Sequence, residues 1–436
     1  MMSLSKKVVF ILKEMKMESL GVMYLLSALK KAGHKVALIT LDNIINLPNI
    51  NPNFICYSVC SGSEEYYFNL DNYIRTVFPH IHYQAIFGGP AVTFNPEKFK
   101  NRIFIRGEAE KALVDLINGQ TYEHLQAVDI NSIPPPDRYQ IYQYPKMLAN
   151  PIKNMITRRG CPFACSYCFN RTWNELHKNR NPIIRLRNVK DVIDEALELK
   201  EKWQPLKMIH IMDDGFAKPI AWLREFAPLY REKVNVPFIC NINPKDISEE
   251  VLELLVQANC AIISLALESA NDENRTKILN RTTDKETVKT AVQLCHKYKI
   301  RTRLQNIIGL PVKEPLKDAL ETLDYNIECN PTSSWCAILQ CYKGTKIFDI
   351  AKETGYIPDD ESVDEGFFGV STLKIKDRKK IERLHKLWTL ITTYPRFLRP
   401  LTPFLIKIPL PFSFYQWIFQ ITKKHITERN LWKVYK

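Results

Sequence analysis

The chain has 436 residues, a formal net charge of +14, and hydrophobic and charged fractions of 45% and 25%. That length exceeds one ordinary core and suits two domains with an appendage, at ordinary globular composition. Eleven cysteines without the dense spacing of a secreted scaffold argue against a disulfide framework and for a reducing cytoplasm, while the basic balance asks for an acidic partner: nucleic acid, an anionic membrane surface, or phosphorylated ligands.

Lys6 and Lys7 precede only the five apolar residues Val8 to Leu12, too short a run for a signal peptide. Lys7 to Leu12 reads as a strand, and Leu20 to Ala32 has helical spacing ended by Gly33. Val36 to Thr40, Phe54 to Val59, Gln84 to Phe87 and Arg102 to Ile105 read as further strands, the last followed by a helix over Glu108 to Asn118. This alternation predicts a doubly wound parallel sheet over residues 1–125. Ligands of such sheets bind beyond the carboxyl ends of the strands. Those ends carry Lys13 to Ser19, Ser58 to Ser63 with Gly62, Gly88-Gly89-Pro90, and Arg106-Gly107-Glu108. Small residues there admit a flat, bulky ligand, although Gly88 and Gly89 also suit a plain turn.

Residues 126–151 hold Pro134-Pro135-Pro136 and no helical period, which predicts a semi-rigid spacer. From Ile152 to about residue 360 six strand–helix units follow, with strands near 153–158, 207–212, 236–241, 261–267, 302–308 and 334–340. Six units are fewer than the eight of a closed barrel, so a partial (β/α)6 barrel with an open side is expected. Its predicted strand ends carry Asp213-Asp214, Asn241, Asn243, Glu268-Ser269, Gln305 with Gly309, and Gln340 with Tyr342. Residues 361–436 turn into a basic helix over Asp377 to Ile391 and then a stretch rich in Phe, Leu, Ile and Pro. Pro395, Pro400, Pro403, Pro409 and Pro411 break it too often for a spanning helix. It suits a membrane surface, with Lys423, Lys424, Lys433 and Lys436 toward anionic head groups, or equally a packed helical cap.

After the first strand of the second series come Cys161, Cys165 and Cys168, spaced CxxxCxxC. Three thiolates are one short of a closed zinc site, and His177, nine residues on, is expected at the surface. A [4Fe–4S] cluster normally takes four thiolates, so three leave one iron open to a chelating ligand. The other cysteines show no second cluster spacing and are expected to be small buried residues, with Cys341 nearest a predicted barrel mouth.

In this motif, with Tyr167 before the third cysteine, the chain resembles the radical S-adenosylmethionine superfamily. DDGF at Asp213 to Phe216, ALES at Ala266 to Ser269, IIGLP at Ile307 to Pro311 and YKGT at Tyr342 to Thr345 look like successive landmarks of its core. The N-terminal half is similar to the cobalamin-binding domain of one branch, through ESLGVMYLLSALKKAGHKV, GGP and RGEAEKAL, although it has no DxHxxG histidine to ligate cobalt. The resemblance implies that Cys161, Cys165 and Cys168 hold a [4Fe–4S] cluster whose open iron binds S-adenosylmethionine, with cobalamin at Gly62, Gly88, Gly89, Gly107 and Glu108. It implies that Tyr167 and Phe169 cover the cluster, that Asp213 and Asp214 meet the methionine amine, and that Glu268 and Ser269 meet the ribose. Arg281 and Arg303 are then candidates for the methionine carboxylate, Gly309 and Pro311 look like an adenine-binding turn that makes its contacts through the backbone, and Gln305 at the same strand end is a further cofactor-binding candidate. Core packing of the aromatics, helix capping by the aspartates and solvation of the arginines are the competing readings.

The implied activity is reductive cleavage of S-adenosylmethionine to a 5′-deoxyadenosyl radical, then methylation of an unactivated carbon. An oxidative cyclisation is the alternative within the class, and a non-catalytic iron–sulfur or cobalamin sensor the alternative outside it. A flavodoxin or ferredoxin reductant, an organic substrate of lipid, isoprenoid or tetrapyrrole type, and peripheral membrane contact are the expected partners. No added basic RNA-binding domain follows the barrel, so a nucleic-acid partner is not expected.

Overall fold

The computed structural model describes residues 5–178 and 182–423. The chain divides into two compact units, Met1–Pro162 with Phe169–Leu206, and Phe163–Cys168 with Lys207–Lys436.

In the first unit, β1 (Lys7–Leu12), β2 (Lys35–Thr40), β3 (Phe54–Ser58), β4 (Gln84–Gly88) and β5 (Ile103–Phe104) form a parallel sheet in the order β2-β1-β3-β4-β5. Strand β1 is central and covered on both faces, which is why its sequence is apolar without alternation. Helix α1 (Leu20–Lys31) buries Val22, Met23, Leu26 and Leu29, one stripe at helical spacing, and stops before Gly33, whose φ of +88° suits only glycine. Helices α2 (Glu64–Val77) and α3 (Glu110–Ile117) complete the layers of the expected Rossmann-like sheet.

The stretch expected to be a bare proline spacer is instead folded into this unit. Short helices at Arg138–Tyr142 and Pro145–Leu148 bury Ile141, Tyr142 and Met147. A charge network anchors them. Arg138 and Arg187 both pair with Glu195 of the helix Val189–Lys202, and the Tyr142 hydroxyl donates to Glu18. Periodicity could not find this, because the driving contacts are buried ion pairs over long sequence separations.

From β6 (Ile152–Met155), strand and helix alternate through six strands, the count a partial (β/α)6 barrel requires. The remaining five, β7 (Met208–Ile211), β8 (Phe238–Asn241), β9 (Cys260–Glu268), β10 (Arg301–Ile308) and β11 (Ser333–Ile338), lie in the second unit and pair in parallel in that order. Each matches its sequence expectation to within about two residues. Helices α4 (Phe169–Leu176), α5 (Val189–Lys202), α6 (Ile220–Leu229), α7 (Glu249–Gln257), α8 (Lys285–Lys297), α9 (Pro315–Cys329) and α10 (Lys346–Glu353) separate or follow the strands. Helix α11 (Arg378–Thr393) buries Leu384, Trp388 and Ile391 in the core of the second unit. Beyond it the chain breaks into Pro395–Leu398, Thr402–Leu405 and α12 (Phe412–Thr422), each with proline at or before its start. Among the described residues no helix is long and apolar enough to cross a membrane.

Glu195 is 3% exposed between two buried guanidinium groups. Glu195→Ala leaves both uncompensated, so it is expected to destabilise the first unit by about 3–5 kcal/mol, read from the shift of the urea midpoint.

Candidate functional site

The cysteine loop is fixed at both of its ends. In the first unit Arg159, just before the loop, pairs with Glu108 and Glu110, and Arg158–Arg159 forms a short antiparallel ladder with Arg185–Leu186. Gly160 has φ +98°, and a Cβ there would stand 1.8 Å from the Ile183 carbonyl oxygen. No side chain fits at this position. Asn174 donates to the Cys161 carbonyl at 2.8 Å, and Cys161 is buried.

In the second unit the Ser166 N–H donates to the Leu279 carbonyl at 3.0 Å and its hydroxyl to that of Ile278, while its own carbonyl accepts from the Ile347 N–H at 2.8 Å. Asn280 donates to the Ala164 carbonyl at 2.7 Å. These bonds hold Cys165 and Cys168 against the turn that follows β9. Cys165 is buried and Cys168 half-buried.

Strand β9 ends in a register irregularity between Ala266 and Glu268, and Glu268 takes φ +68°. A left-handed glutamate costs of order 1–3 kcal/mol and persists only where its surroundings over-determine it. Here they do: the Tyr167 hydroxyl donates to Glu268 Oε1 at 2.8 Å, and the residue is 7% exposed. Arg281 is buried beside it, its Nη1 3.7 Å from Cys165 Sγ and its Nη2 donating to the Ala266 carbonyl at 2.9 Å. Burial pushes the Glu268 carboxyl above its ordinary range, and the Arg281 charge and Tyr167 hydroxyl only partly oppose that. For Arg281 burial pulls downward, but Tyr167, Glu268 and Cys165 outweigh it and the guanidinium stays charged. Thus Cys165, Tyr167, Glu268 and Arg281 form one connected set.

The other expected residues distribute differently. Asp213 is buried and Asp214 exposed at the end of β7; Asn241 donates to the Asp213 carbonyl at 3.1 Å, and Phe216 anchors the loop among Trp222, Phe226 and Phe238. They do not cap a helix, since α6 begins at Ile220 after Pro219. Ser269 donates its hydroxyl to Asp318 at 2.7 Å. Gly309 has φ +79° at the end of β10. Arg303 and Gln305 lie on β10 before that end, Arg303 donating to Ser264 Oγ at 3.1 Å. Phe169 stacks on Phe94 at 4.2 Å. His177, expected at the surface, is buried: its ring stacks on Trp173 at 3.9 Å and its Nδ1 lies 2.9 Å from the Trp173 carbonyl. Cys56, Cys240, Cys260, Cys295, Cys329, Cys336 and Cys341 are buried and Cys60 exposed; burial pushes the Cys341 thiol up to about 12, unsuited to a nucleophile.

At the carboxyl ends of the first sheet, Gly62, Gly89 and Gly107 all have positive φ. A Cβ at Gly89 would stand 2.8 Å from Val59 backbone atoms, and one at Gly107 3.0 Å from Leu125 Cα, whereas Gly88 meets nothing closer than 3.8 Å. Backbone packing therefore demands two of these glycines by itself. Glu108 accepts two 2.7 Å bonds from Arg185 and one of 2.8 Å from the Val128 N–H, besides Arg159. Burial raises its pKa, but these partners outweigh it and hold the carboxyl below its ordinary range. It is a residue that positions the cysteine loop from within the first unit.

The donor chemistry fits a [4Fe–4S] cluster better than a single ion. Among the described residues no three His, Cys, Asp or Glu side chains are arranged to hold one metal ion. A cluster asks for something else, since each of its thiolates binds a different iron and they need not converge on one ion.

Residues 155–325 match the sequence profile of the Radical SAM superfamily. The chain is 22% identical over 233 residues to a cytidylyl-2-hydroxyethylphosphonate methyltransferase of Streptomyces wedmorensis, covering 51% of this chain and 41% of that protein. It is 24% identical over 302 residues to an uncharacterized methyltransferase of Pyrococcus horikoshii, covering 61% and 62%. The chain thus spans less than two thirds of either relative. Among solved structures it superposes on the cobalamin-dependent S-adenosylmethionine radical enzyme OxsB with a TM-score of 0.70 at 16% identity, over 99% of this chain and 72% of OxsB, which establishes a shared fold.

Because Gly160 has no room for a methyl group, Gly160→Ala is expected to displace the approach to Cys161. After anaerobic reconstitution the variant should hold less than about half the iron and sulfide of the parent, while Gly355→Ala, which meets nothing within 4 Å, leaves the content unchanged.

Proposed function

We propose that this chain, which belongs to the radical SAM superfamily through residues 155–325, is a cobalamin-dependent enzyme that methylates an unactivated carbon. When bound, the [4Fe–4S] cluster supplies one electron that cleaves S-adenosylmethionine to methionine and a 5′-deoxyadenosyl radical, and cobalamin supplies the methyl group. The observation that carries this reading is the connected set Cys165–Arg281–Glu268–Tyr167 beside a CxxxCxxC loop.

In this reading Cys161, Cys165 and Cys168 hold the cluster. Arg281 sets its charge where a chelating carboxylate of the methionine moiety arrives, and Glu268, fixed by Tyr167 on one oxygen, keeps the other for the ribose hydroxyls. Asp213 and Asp214 face the methionine amine, and the backbone at Gly309 receives adenine. Residues 1–125 carry the cobalamin site at the Gly62, Gly88 and Gly107 loops, 126–151 pack against that domain, 152–360 form the radical SAM barrel and 361–436 the tail. Without a DxHxxG histidine, cobalamin takes no lower ligand from that motif. A flavodoxin- or ferredoxin-type protein delivers the electron.

The tail supports a lipid-like substrate and contact with the cytoplasmic face of a membrane. Phe397, Phe404 and Trp417 are 72%, 67% and 59% exposed, and no acidic residue occurs between Arg383 and Lys423, against six basic ones. Lys424, Lys433 and Lys436 lie outside the described residues.

Anaerobically reconstituted protein with a strong reductant is expected to convert S-adenosylmethionine to 5′-deoxyadenosine. Cys165→Ala should abolish this, and Glu268→Gln should weaken S-adenosylmethionine binding about tenfold with cluster content unchanged. A full cluster that cleaves nothing would leave the sensor as the better description. For the tail, co-sedimentation with phosphatidylglycerol vesicles should fall about tenfold in Phe404→Ser/Trp417→Ser, and equal binding by both proteins rules the contact out.

A further inference from the structure

Strand β10 presents two different faces. Thr302, Leu304 and Asn306 turn toward the helices, as the bond from Asn306 Nδ2 to Asn326 Oδ1 of α9 at 3.0 Å shows. Arg303 and Gln305 therefore turn to the opposite, inner face of the sheet. On β11 Ser334 and Cys336 follow the helix side, Ser334 bonding Asn326 at 2.7 Å and Trp388 at 2.8 Å, so Ser333 and Trp335 share the inner face.

Strand pairing then sets one layer. Asn241 is in register with Ser264, Ser264 with Arg303, and Arg303 with Ser333. Four neighbouring strands place a polar side chain at the same height. Arg303 makes one hydrogen bond, from Nε to Ser264 Oγ at 3.1 Å, and among the described residues no carboxylate pairs with it. Its uncompensated burial pulls the guanidinium down to about 10, and His210 on β7 lies close enough that the Arg303 charge adds to burial in lowering its imidazole to about 4. His210 Nε2 and Ser333 Oγ are both shut from solvent, with no hydrogen-bond partner among the described residues. A half-buried cation with two orphaned polar groups on the same face is costly unless something anionic completes it.

We infer that Arg303, His210 and Ser333 receive an oxyanion of the substrate, a phosphate, phosphonate or carboxylate, on the inner face of the barrel. The methionine carboxylate is the other source of such a group, and the strand geometry separates the two. Ser264 and Glu268 are four residues apart, roughly 13 Å of extended strand and somewhat less across the irregularity. Arg303 is tied sideways to Ser264, whereas Arg281 already stands beside Cys165. One level above lie Gln305 and Trp335, in register with Ala266. Trp335 packs with Phe367 and Phe368, so an anionic end below and an apolar or aromatic body above describe the substrate class. The identification of the anion as substrate rests on the proposed radical chemistry; the anion site itself does not.

Calorimetric titration of the cluster-loaded full chain, first with inorganic phosphate and then with S-adenosylmethionine, separates the sources. Phosphate should bind, its affinity should fall at least about tenfold in Arg303→Gln and several-fold in His210→Gln, and both variants should bind S-adenosylmethionine within about twofold of the parent. Removal of an unpaired, half-buried charge should leave the melting temperature of Arg303→Gln no lower than the parent's. Absence of phosphate binding, or equal binding in Arg303→Gln, overturns the inference. So does a tenfold loss of S-adenosylmethionine affinity in that variant, which assigns Arg303 to the methionine carboxylate instead. A chain that fails to cleave S-adenosylmethionine still gives a readable phosphate result, so this inference and the proposed function fail separately.

Discussion

A cluster held by three thiolates depends on a loop that cannot rearrange to offer a fourth ligand or lose one of the three. Here that constraint is met by backbone hydrogen bonds. Ser166 is bound through its N–H, hydroxyl and carbonyl, Asn280 holds the Ala164 carbonyl, and Asn174 holds that of Cys161. Gly160 admits no substituent against Ile183, so the entry to the loop has one conformation. Rigid placement of this kind allows an open iron position to stay open.

Around that loop the molecule carries charge in unusual places. Arg281 is buried next to a thiol, a tyrosine hydroxyl and a carboxyl whose burial biases it toward the neutral form. Glu268 accepts a strained backbone to stand there. Lower on the same sheet, the Arg303 layer has a cation and orphaned polar groups with no internal counterpart among the described residues. In the first unit, by contrast, every buried cation of the Arg138–Arg187–Glu195 and Arg159–Arg185–Glu108 networks has its carboxylate. The charge-paired networks explain stability and the unpaired cation points to a ligand.

Much of the architecture was legible because most of the parallel strands are short, largely apolar runs followed by a helical stripe. Strand β9 was expected over 261–267 and spans Cys260–Glu268. The loop that carries the three cysteines and the place of Glu268 at a strand end were legible through spacing and position. What was not legible depends on partners far away in sequence. Glu108 read as a ligand at a strand end, but Arg185, 77 residues on, occupies both its oxygens. Ser269 read as a ribose contact, but Asp318, 49 residues on, takes its hydroxyl. His177 read as exposed because one histidine among polar residues gives no periodic signal, and only its stacking on Trp173 buries it. The proline-rich stretch was misread for the same reason: Glu195 and Glu18 draw it in. Ser333 carries no motif at all, and only strand register brings it to one layer with Arg303; His210, in register with Ile239, stands two residues below that layer.

The central claim is that Cys161, Cys165 and Cys168 leave one iron for a small-molecule chelate. Mössbauer spectroscopy of the iron-labelled, reconstituted protein tests it directly, with and without S-adenosylmethionine. The account expects one iron in four to change its isomer shift on addition of S-adenosylmethionine while the other three stay as they were. Four irons that remain equivalent and unmoved would contradict it.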